Sequence, residues 1–422
     1  RRIWPASVLL EDRESCPLIG LTISSMVKAS ISLICAAIPA RRASTSASAA
    51  GWAAVPATDL GSTAIRAAVE RASVSAASVD EVFMGCVLPA GLKQCPARQA
   101  ARNAGLPDDV GAVTVNKACG SGMQATIFGI DSIRAGTNRV AVTGGLESMS
   151  NAPHLMPTGR AGQRLGHTSI YDHMFIDGLE DAYTGAAMGT FAQKTADDHG
   201  ITREAMDAFA IQSLSRAQMA IEQGLLKAET ATVEVKTRRE TISIVDDEQP
   251  HKGRIDKIPS LRAAFTKDGT ITAANASSIS DGASALVLAS ESAVQEFGLK
   301  PMARIIAHAR SSRAPQEFTL APVDAISSLL NKTGWSTDDV DLWEINEAFA
   351  MVTMLAMKSH GLDHEKVNVH GGACAQGHPI GSTGSRIIVT LMHALYHYGK
   401  ARGIATLCIG GGEATAVAIE MC

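Results

Sequence analysis

The chain has 422 residues, of which 46% are hydrophobic and 19% charged, and its formal net charge is −4. A single hydrophobic core stops growing near roughly 250–300 residues, so this length predicts more than one structural unit. The weak acidic balance argues against a nucleic-acid-binding protein, and no apolar run reaches the ~18 residues that a membrane span needs. Scarce aromatic residues and abundant glycine favour closely packed α/β layers over a β-sandwich.

The eight cysteines form no Cys-x-x-Cys pair and no zinc-ligand spacing, and they are too dilute for a disulfide framework. We therefore expect reduced thiols in a reducing compartment, the cytoplasm, and no metal site. Each thiol is then available for packing or for chemistry.

Residues 1–50 carry the weakest signals in the chain. Residues 26–50 could be read as a signal peptide, with a lysine, a short apolar core and small residues in that order. The core is at the short limit for a signal, however, and two arginines follow it directly. We therefore favour a first buried strand at residues 31–35 and leave residues 1–27 as an unassigned extension.

Strands alternate with helices along the next hundred residues. Thr58 or Asp59 is predicted to cap the first helix. This alternation is typical of a mostly parallel sheet that helices cover on both faces. The strands are predicted from apolar and β-branched runs at residues 81–85, 113–116 and 140–143.

The next part of the chain breaks this alternation, with an irregular start, two helical stretches and a run of basic residues. We interpret it as an inserted domain, and the plain interpretation of its basic run is a solvated surface. The alternation then resumes and repeats the first half, so one α/β unit occurs twice and brings two sets of strand ends to a ligand site. The predicted units are residues 28–149 completed by 276–298, the insertion 150–275, and residues 299–422.

Cys119 stands where a predicted strand meets a predicted helix, in the stretch Asn-Lys-Ala-Cys-Gly-Ser-Gly at residues 116–122. Unpaired N–H groups and the positive end of the helix dipole favour a thiolate there. We therefore expect the pKa of Cys119 to lie below its usual value of about 8.5. The glycines beside it should keep the approach to the sulfur open. This pattern indicates a nucleophilic cysteine.

A competing interpretation uses the same residues. Residues 120–125, Gly-Ser-Gly-Met-Gln-Ala, also fit the dinucleotide-binding pattern Gly-x-Gly-x-x-Gly/Ala, and Glu147 stands where a ribose-binding acid is expected. The protein would then be a dinucleotide-binding oxidoreductase.

Three reactive side chains in the second half stand at equivalent strand ends. Asn346 opens an Asn-Glu-Ala-Phe-Ala block, His378 lies in a glycine-rich turn, and Cys408 ends a strand just before three glycines. Taken singly, Asn346 could be a helix cap, His378 a hydrogen-bonded histidine of a turn, and Cys408 a small residue packed in the core. Together with Cys119 they point to nucleophilic catalysis with a positioned base. The dinucleotide interpretation explains none of the three.

These motifs, in this order, resemble those of the thiolase family over roughly residues 55–422. The resemblance implies an α/β fold of two duplicated halves stacked in five layers, with an inserted loop domain. It implies reversible Claisen condensation of two acetyl-CoA to acetoacetyl-CoA through an acetyl-cysteine, with coenzyme A thioesters as substrates and no permanently bound cofactor. A broader range of 3-ketoacyl-CoA substrates stays open, because the sequence separates the two specificities poorly.

The resemblance also implies a role for each residue. Cys119 would carry the acetyl group, His378 would take its proton, and Cys408 would move the α-proton of the second substrate. His378 and a water held by Asn346 would form one oxyanion hole. The backbone N–H groups of Cys119 and Gly410 would form another.

Coenzyme A would lie against the inserted domain. The family's nucleotide-binding arginine has no counterpart, so His251 or Lys252 would have to replace it. Ala187 stands where the family often has a histidine, which changes the shape of the acyl pocket. The other implied contacts are Leu179, Met188, Ser277, Ala348 and Phe349.

The expected partners are small-molecule coenzyme A thioesters, without nucleic acid or membrane. The resemblance further suggests a homotetramer, a dimer of dimers, tied together through the irregular segment 154–183. The apolar residues expected near that second interface are Met156, Leu165, Met174 and Phe175.

Overall fold

The computed structural model describes residues 31–37, 41–42, 55–236 and 240–422, and the predicted extension 1–27 lies outside the described residues. The strands are β1 Ile31–Ala37, β2 Arg41–Arg42, β3 Glu81–Gly85, β4 Gly111–Val115, β5 Val140–Ser148, β6 His154–Leu155, β7 Tyr171–Asp172, β8 Val233–Lys236, β9 Thr241–Ile244, β10 Ser280–Ser290, β11 Ala303–Ser312, β12 Leu342–Ile345, β13 Arg402–Ile409 and β14 Glu413–Met421. The helices are α1 Ala57–Ala72, α2 Pro96–Asn103, α3 Ser121–Arg134, α4 Met188–Asp198, α5 Arg203–Glu222, α6 Glu248–Lys252, α7 Glu291–Phe297, α8 Ala321–Thr333, α9 Ala350–His360, α10 Ala373–Gln376 and α11 Thr383–His397.

The strands of the first half lie in the order β1-β10-β5-β3-β4. β3 runs parallel to β4 and β5, whereas β10 runs antiparallel to β5 and β1. β1 pairs along its whole length with β10, from Ile31 opposite Ser290 to Ala37 opposite Ser284. The strand expected at residues 31–35 is therefore confirmed.

The second half repeats this topology. Its strands lie in the order β11-β14-β13-β12, with β12 parallel to β13 and β14 antiparallel to both β13 and β11. Val367 adds a parallel bridge to Trp343, in the place that β4 holds in the first half. The duplication is thus visible in the strand order. The two halves join where residues 31–33 pair antiparallel with residues 303–305.

The expectation of a mostly parallel sheet is wrong, because β10 and β14 each run antiparallel to both neighbours. In the second half only residues 410–412 connect β13 to β14, and so short a connection can make only an antiparallel pair. In the first half β5 and β10 are the equivalent pair, and residues 149–279 connect them. The inserted segment therefore stands in the place of a hairpin turn, at the strand ends where the motifs lie.

The layers follow from which helices cover which face. α3 and α11 pack against each other between the two halves and share one apolar cluster with both sets of strands. α1 and α2 cover the outer face of the first half, and α8 covers that of the second. The result is five layers, and the expected α/β fold class is confirmed.

The start of α1 differs from the prediction. Pro56 takes the capping position with a φ of −62°, and no side chain of the described residues caps this helix. The predicted cap by Thr58 or Asp59 is therefore wrong, since both lie inside the first turn. The Asp59 carboxylate still favours the helix start through the helix dipole.

The inserted segment is built mainly from α4, α5 and the short α6. Its two small strand pairs, β6–β7 and β8–β9, do not join the main sheet within the described residues. α5 and α6 pack against α10, which directly precedes the turn that carries His378. The segment is thereby positioned to form one side of a site at the strand ends.

Candidate active site

Cys119 lies in a tight turn between β4 and α3. Ala118 has a φ of +43°, a left-handed conformation that is costly for a residue with a Cβ. The Asn116 side chain accepts a hydrogen bond from the Ala118 N–H at 3.0 Å, and the Ser121 hydroxyl accepts one from the Lys117 N–H at 2.8 Å. These bonds hold the turn that presents the Cys119 sulfur at the start of α3.

The glycines after Cys119 serve packing, contrary to the expectation that they clear the approach to the sulfur. A Cβ on Gly120 would lie 2.3 Å from Ile409 Cδ1, and one on Gly122 would lie 2.7 Å from Ser385 Oγ. Both glycines therefore let α3 approach the second half closely. The Cys119 turn is held against Ile409, the residue next to Cys408.

Burial raises the pKa of the Cys119 thiol above its ordinary value, although the N–H groups of Gly410 and of Cys119 itself point at the sulfur and oppose this rise. The lowered pKa expected from the helix start is therefore wrong for the free protein. Loss of hydration outweighs the donors. Cys119 rests as a thiol and needs a base to become a nucleophile.

His378 has the form of such a base, and its hydrogen bonds define its tautomer. Its Nδ1 lies 2.6 Å from the Thr383 hydroxyl, which donates its own proton to the Pro379 carbonyl at 3.0 Å. The hydroxyl can only accept from His378, so Nδ1 carries the proton and Nε2 has a free lone pair. Nε2 is buried and has no hydrogen-bond partner among the described residues. Burial and then Arg386 lower the pKa of His378 to about 3, so the ring is neutral.

Cys408 and Asn346 stand at the ends of the neighbouring parallel strands β13 and β12, and both are buried. Burial and then the nearby Cys119 raise the pKa of the Cys408 thiol, so it rests protonated. Neither end of the Asn346 side-chain amide finds a partner in the described part of the chain. A buried amide without partners is costly, so this one is suited to hold a water or a substrate oxygen.

Apolar side chains surround the two thiols and include four of the five remaining predicted coenzyme A contacts. Leu179 and Cys119 pack against the same apolar cluster, and Met188 lies 3.6 Å from the position of a Cβ on Gly410. Ser277 is the fifth predicted contact, and its N–H donates to the Ala348 carbonyl at 3.0 Å, so it lies next to the apolar side chains that surround the thiols. The wall beside Cys119 contains Val87, Leu88, Met149, Leu179 and Ile380, and the wall beside Cys408 contains Met188, Ala348 and Phe349.

A cleft of about 420 Å³ opens between α5, α6 and α10, and three basic side chains line it: Lys252, Arg254 and Lys257. His251 does not line it; this side chain is exposed and lies 4.0 Å from Asp246. Consecutive residues of a helix point in directions about 100° apart, so α6 turns only one of its last two residues to the cleft. Of the two predicted substitutes for an arginine, Lys252 lines this cleft and His251 does not.

Arg254 and Lys257 were missed as candidate ligands, although both stand in the basic run of the inserted segment. A run of charges predicts a solvated surface as readily as a binding surface. Only the packing of α5 and of residues 273–274 against that run turns it into one wall of a cleft.

Glu147 cannot serve as the ribose-binding acid of a dinucleotide site. It is fully buried and accepts hydrogen bonds from the N–H groups of Val87, Leu88 and Gly381. Gly120 and Gly122, the supposed phosphate-binding glycines, pack against the second half instead. The dinucleotide interpretation is therefore wrong.

No helix among the described residues is both long and apolar enough to cross a membrane. Those residues also contain no group of three or more His, Cys, Asp or Glu side chains that could hold a metal ion.

Comparison with protein families agrees with this geometry. The family models of the thiolase N-terminal domain and the thiolase C-terminal domain match residues 35–292 and 299–421. The chain belongs to the thiolase family. It is 47% identical over 371 residues to an acetyl-CoA acetyltransferase of Schizosaccharomyces pombe, which covers 87% of this chain and 94% of the relative. It is also 47% identical over 364 residues to the acetyl-CoA acetyltransferase of Escherichia coli, with 86% and 92% covered.

Solved thiolase structures share the architecture of this thiolase. The Acat5 thiolase from Ascaris suum in complex with coenzyme A superposes with a TM-score of 0.87 at 39% identity, covering 93% of this chain and 100% of that one. The acetyl-CoA acetyltransferase of Bacillus anthracis superposes with a TM-score of 0.89 at 38% identity and the same coverage.

Proposed function

We propose that this thiolase is an acetyl-CoA C-acetyltransferase, which joins two acetyl-CoA reversibly into acetoacetyl-CoA and coenzyme A through an acetyl-Cys119 intermediate. The proposal is supported by two thiols that lie close enough to interact, Cys119 and Cys408, and by a buried imidazole nitrogen and a buried amide that have no partners in the described part of the chain. Asn346 follows the strand next to that of Cys408, and His378 lies two residues before Ile380, against whose cluster Cys119 packs. The relatives from Schizosaccharomyces pombe and Escherichia coli bear the name of this activity.

In the first half-reaction the Cys119 proton moves to Nε2 of His378, and the thiolate attacks the acetyl carbonyl of acetyl-CoA. The oxyanion that forms is met by the N–H groups of Cys119 and Gly410, which already point at the sulfur in the free protein. The leaving sulfur of coenzyme A takes its proton from Cys408. The products are acetyl-Cys119, free coenzyme A, a protonated His378 and a Cys408 thiolate.

In the second half-reaction the Cys408 thiolate removes an α-proton from the second acetyl-CoA. His378 now carries a proton on Nε2, so it donates to the enolate oxygen together with a water held by Asn346. The enolate carbon attacks the acetyl group, and the departing Cys119 sulfur recovers its proton from His378. Each group returns to its starting protonation state, and thiolysis follows the same steps in reverse.

Coenzyme A occupies the cleft with its phosphates near Lys252, Arg254 and Lys257, because lysine and arginine are the side chains that pair best with phosphate. The pantetheine chain then runs past Ser277 toward the two thiols. Ala274 lines the cleft, and Ser277 lies three residues further along the chain, so the two regions are continuous.

Chain-length preference separates this function from a broader 3-ketoacyl-CoA thiolase. Met188 lies against Gly410 and shares one packed cluster with Phe349, which supports a short acyl pocket. We expect kcat/KM for thiolysis of acetoacetyl-CoA to exceed that of 3-ketooctanoyl-CoA by at least about tenfold, the low end for added methylenes in a closed pocket. Steady-state thiolysis assays with both substrates check this. Equal or higher efficiency with the longer substrate would establish the broader thiolase instead.

The enzyme assembles as a homotetramer, and exposed apolar side chains support this arrangement. β4 is an edge strand with Val113 exposed, a position where a second copy can pair to make the dimer. In the inserted segment Leu165 is fully exposed and Phe175 is 41% exposed. Met174 is a poorer interface residue than the sequence indicates, because it packs on the wall beside Cys119.

Charged substitutions at this second surface should separate the dimers. Leu165→Glu combined with Phe175→Glu is expected to convert a tetramer of four 44.0 kDa chains into dimers, because it places buried charge in an apolar contact. Light scattering measures the mass directly. Tyr396→Glu is the matched control, since Tyr396 is 72% exposed on α11. A wild-type protein that is a dimer at all concentrations would end the tetramer proposal.

Six cysteines are free thiols, which suits a reducing compartment: Cys86, Cys95, Cys119, Cys374, Cys408 and Cys422. On this basis we place the enzyme in the cytoplasm.

A further inference from the structure

Glu147 is a buried carboxylate to which the catalytic steps above assign no role. Its Oε2 accepts hydrogen bonds from the N–H groups of Val87 at 3.0 Å and Gly381 at 2.9 Å, and its Oε1 accepts one from Leu88 at 3.1 Å. The Cys86 thiol lies 3.8 Å from Oε1. An ionised carboxylate can accept all of these bonds, and bonds to a charged acceptor are the stronger kind.

The three N–H groups belong to two different halves of the fold. Val87 and Leu88 follow β3 in the first half, whereas Gly381 lies three residues after His378 in the second. Val87 and Leu88 pack in the same apolar cluster as Ile380, and the Cys119 side chain packs against that cluster. One carboxylate therefore ties the wall beside the nucleophile to the turn that carries its base.

The fit around this carboxylate is close. A Cβ on Gly381 would lie 2.7 Å from Glu147 Oε2, so only glycine lets the N–H reach the oxygen. Burial raises the pKa of Glu147 to about 7, and the N–H groups of Val87, Leu88 and Gly381 oppose that rise. Burying a carboxylate is costly, and apolar side chains of similar volume often serve stability as well or better. A role in positioning Cys119 and His378 explains why a carboxyl group is buried at this position, whereas packing alone does not.

We propose that Glu147 is a positioning residue of the thiolase reaction. By binding backbone N–H groups from both halves, it sets the separation between the Cys119 sulfur and Nε2 of His378. The inference rests on the proposed function, in which Cys119 and His378 act together in acetyl transfer. The separation itself does not depend on which acyl-CoA is the substrate.

Two substitutions of different severity test this role. Glu147→Ala removes all three acceptor bonds, while Glu147→Gln keeps one oxygen that can still bridge Val87 and Gly381 but turns an NH₂ group toward Leu88. We expect kcat for acetoacetyl-CoA thiolysis to fall about 10²-fold for alanine, the scale of a displacement near 1 Å, and about tenfold for glutamine. KM should stay within about twofold, because neither the cleft nor the apolar walls lose a side chain.

Alkylation of Cys119 by iodoacetamide, followed by mass spectrometry of the peptide that contains it, supplies a second readout. The alkylation rate should fall, because thiolate formation needs His378 at the correct distance. The fall should be smaller than that of kcat, because both variants also remove a carboxylate that raises the pKa of Cys119. This readout requires no coenzyme A thioester. A wild-type protein without thiolysis activity would end the proposed function, while a slowed alkylation in the variants would still support the positioning role.

Glu229→Gln and Glu229→Ala are the matched controls. Glu229 is also a buried carboxylate, and it accepts a hydrogen bond from the Thr390 hydroxyl at 3.1 Å. It lines neither the cleft nor the apolar walls beside the two thiols. The controls should lose thermal stability but keep kcat and the alkylation rate. Wild-type kcat and alkylation in folded Glu147→Gln would overturn the proposal. So would losses in both Glu147 variants that the Glu229 variants reproduce. If Glu147→Ala does not fold, the glutamine variant alone decides.

Discussion

Replacing Cys119 with serine is expected to lower turnover in both directions by about 10⁴-fold or more, the scale of losing the nucleophile of a covalent mechanism. A serine hydroxyl holds its proton far more tightly than a thiol does. Transfer of the proton to Nε2 of His378, which activates Cys119, is therefore far less favourable from a serine hydroxyl. Transfer of a radiolabelled acetyl group from acetyl-CoA to the protein should stop as well, and scintillation counting of the precipitated protein measures it.

The matched control for this variant is Cys95→Ser. Cys95 is an exposed thiol with the same change of sulfur to oxygen, and it lies outside both apolar walls of the site. Its turnover and acetylation should equal those of the wild type. If Cys119→Ser kept near-wild-type turnover, Cys119 would not be the nucleophile.

Replacing Cys408 with serine should separate the two half-reactions. Condensation should fall by at least about 10²-fold, because a serine hydroxyl cannot become the base that removes the α-proton. Acetylation of Cys119 should survive in part, since water can supply the proton that the leaving coenzyme A sulfur otherwise takes from Cys408. Mass spectrometry of the Cys119 peptide after incubation with acetyl-CoA measures the first step, and formation of acetoacetyl-CoA measures both.

The separation of the two readouts is the decisive result for Cys408. Equal loss of acetylation and condensation would contradict the division of roles between the two thiols. Cys408→Ala provides a check on packing, because Cys408 is buried in the cluster that contains Phe349 and Met188. Alanine and serine should give similar condensation rates if the missing proton transfer, and not the hydroxyl, causes the loss.

The sequence predicted the fold class and the family, and it singled out four candidate catalytic residues. Cys119, Asn346 and Cys408 stand at or next to strand ends, and His378 lies in the turn between α10 and α11. Such local patterns can be recognised in the sequence because they involve residues that are adjacent in the chain. The duplicated half was visible for the same reason, since equivalent strand ends repeat in the same order.

The sequence could not predict which of several basic residues lines the cleft. His251 and Lys252 are adjacent in the chain, yet only Lys252 lines the cleft, together with Arg254 and Lys257. Nor could it predict the antiparallel position of β10, because the hairpin turn that would have indicated it is replaced by 131 residues, 149–279.

What the sequence determined by itself is the list of reactive groups and their order along five layers of α/β structure. The tertiary structure decided their chemical state. Cys119 rests as a thiol because burial by both halves outweighs the helix start, and His378 keeps a free Nε2 because Thr383 and Pro379 hold its other nitrogen. Glu147 connects the wall beside Cys119 to the turn that carries His378 through the N–H of Gly381, which is 234 positions away in the chain. Desolvation and long-range hydrogen bonds depend on which distant residues meet, and local sequence patterns do not contain that information.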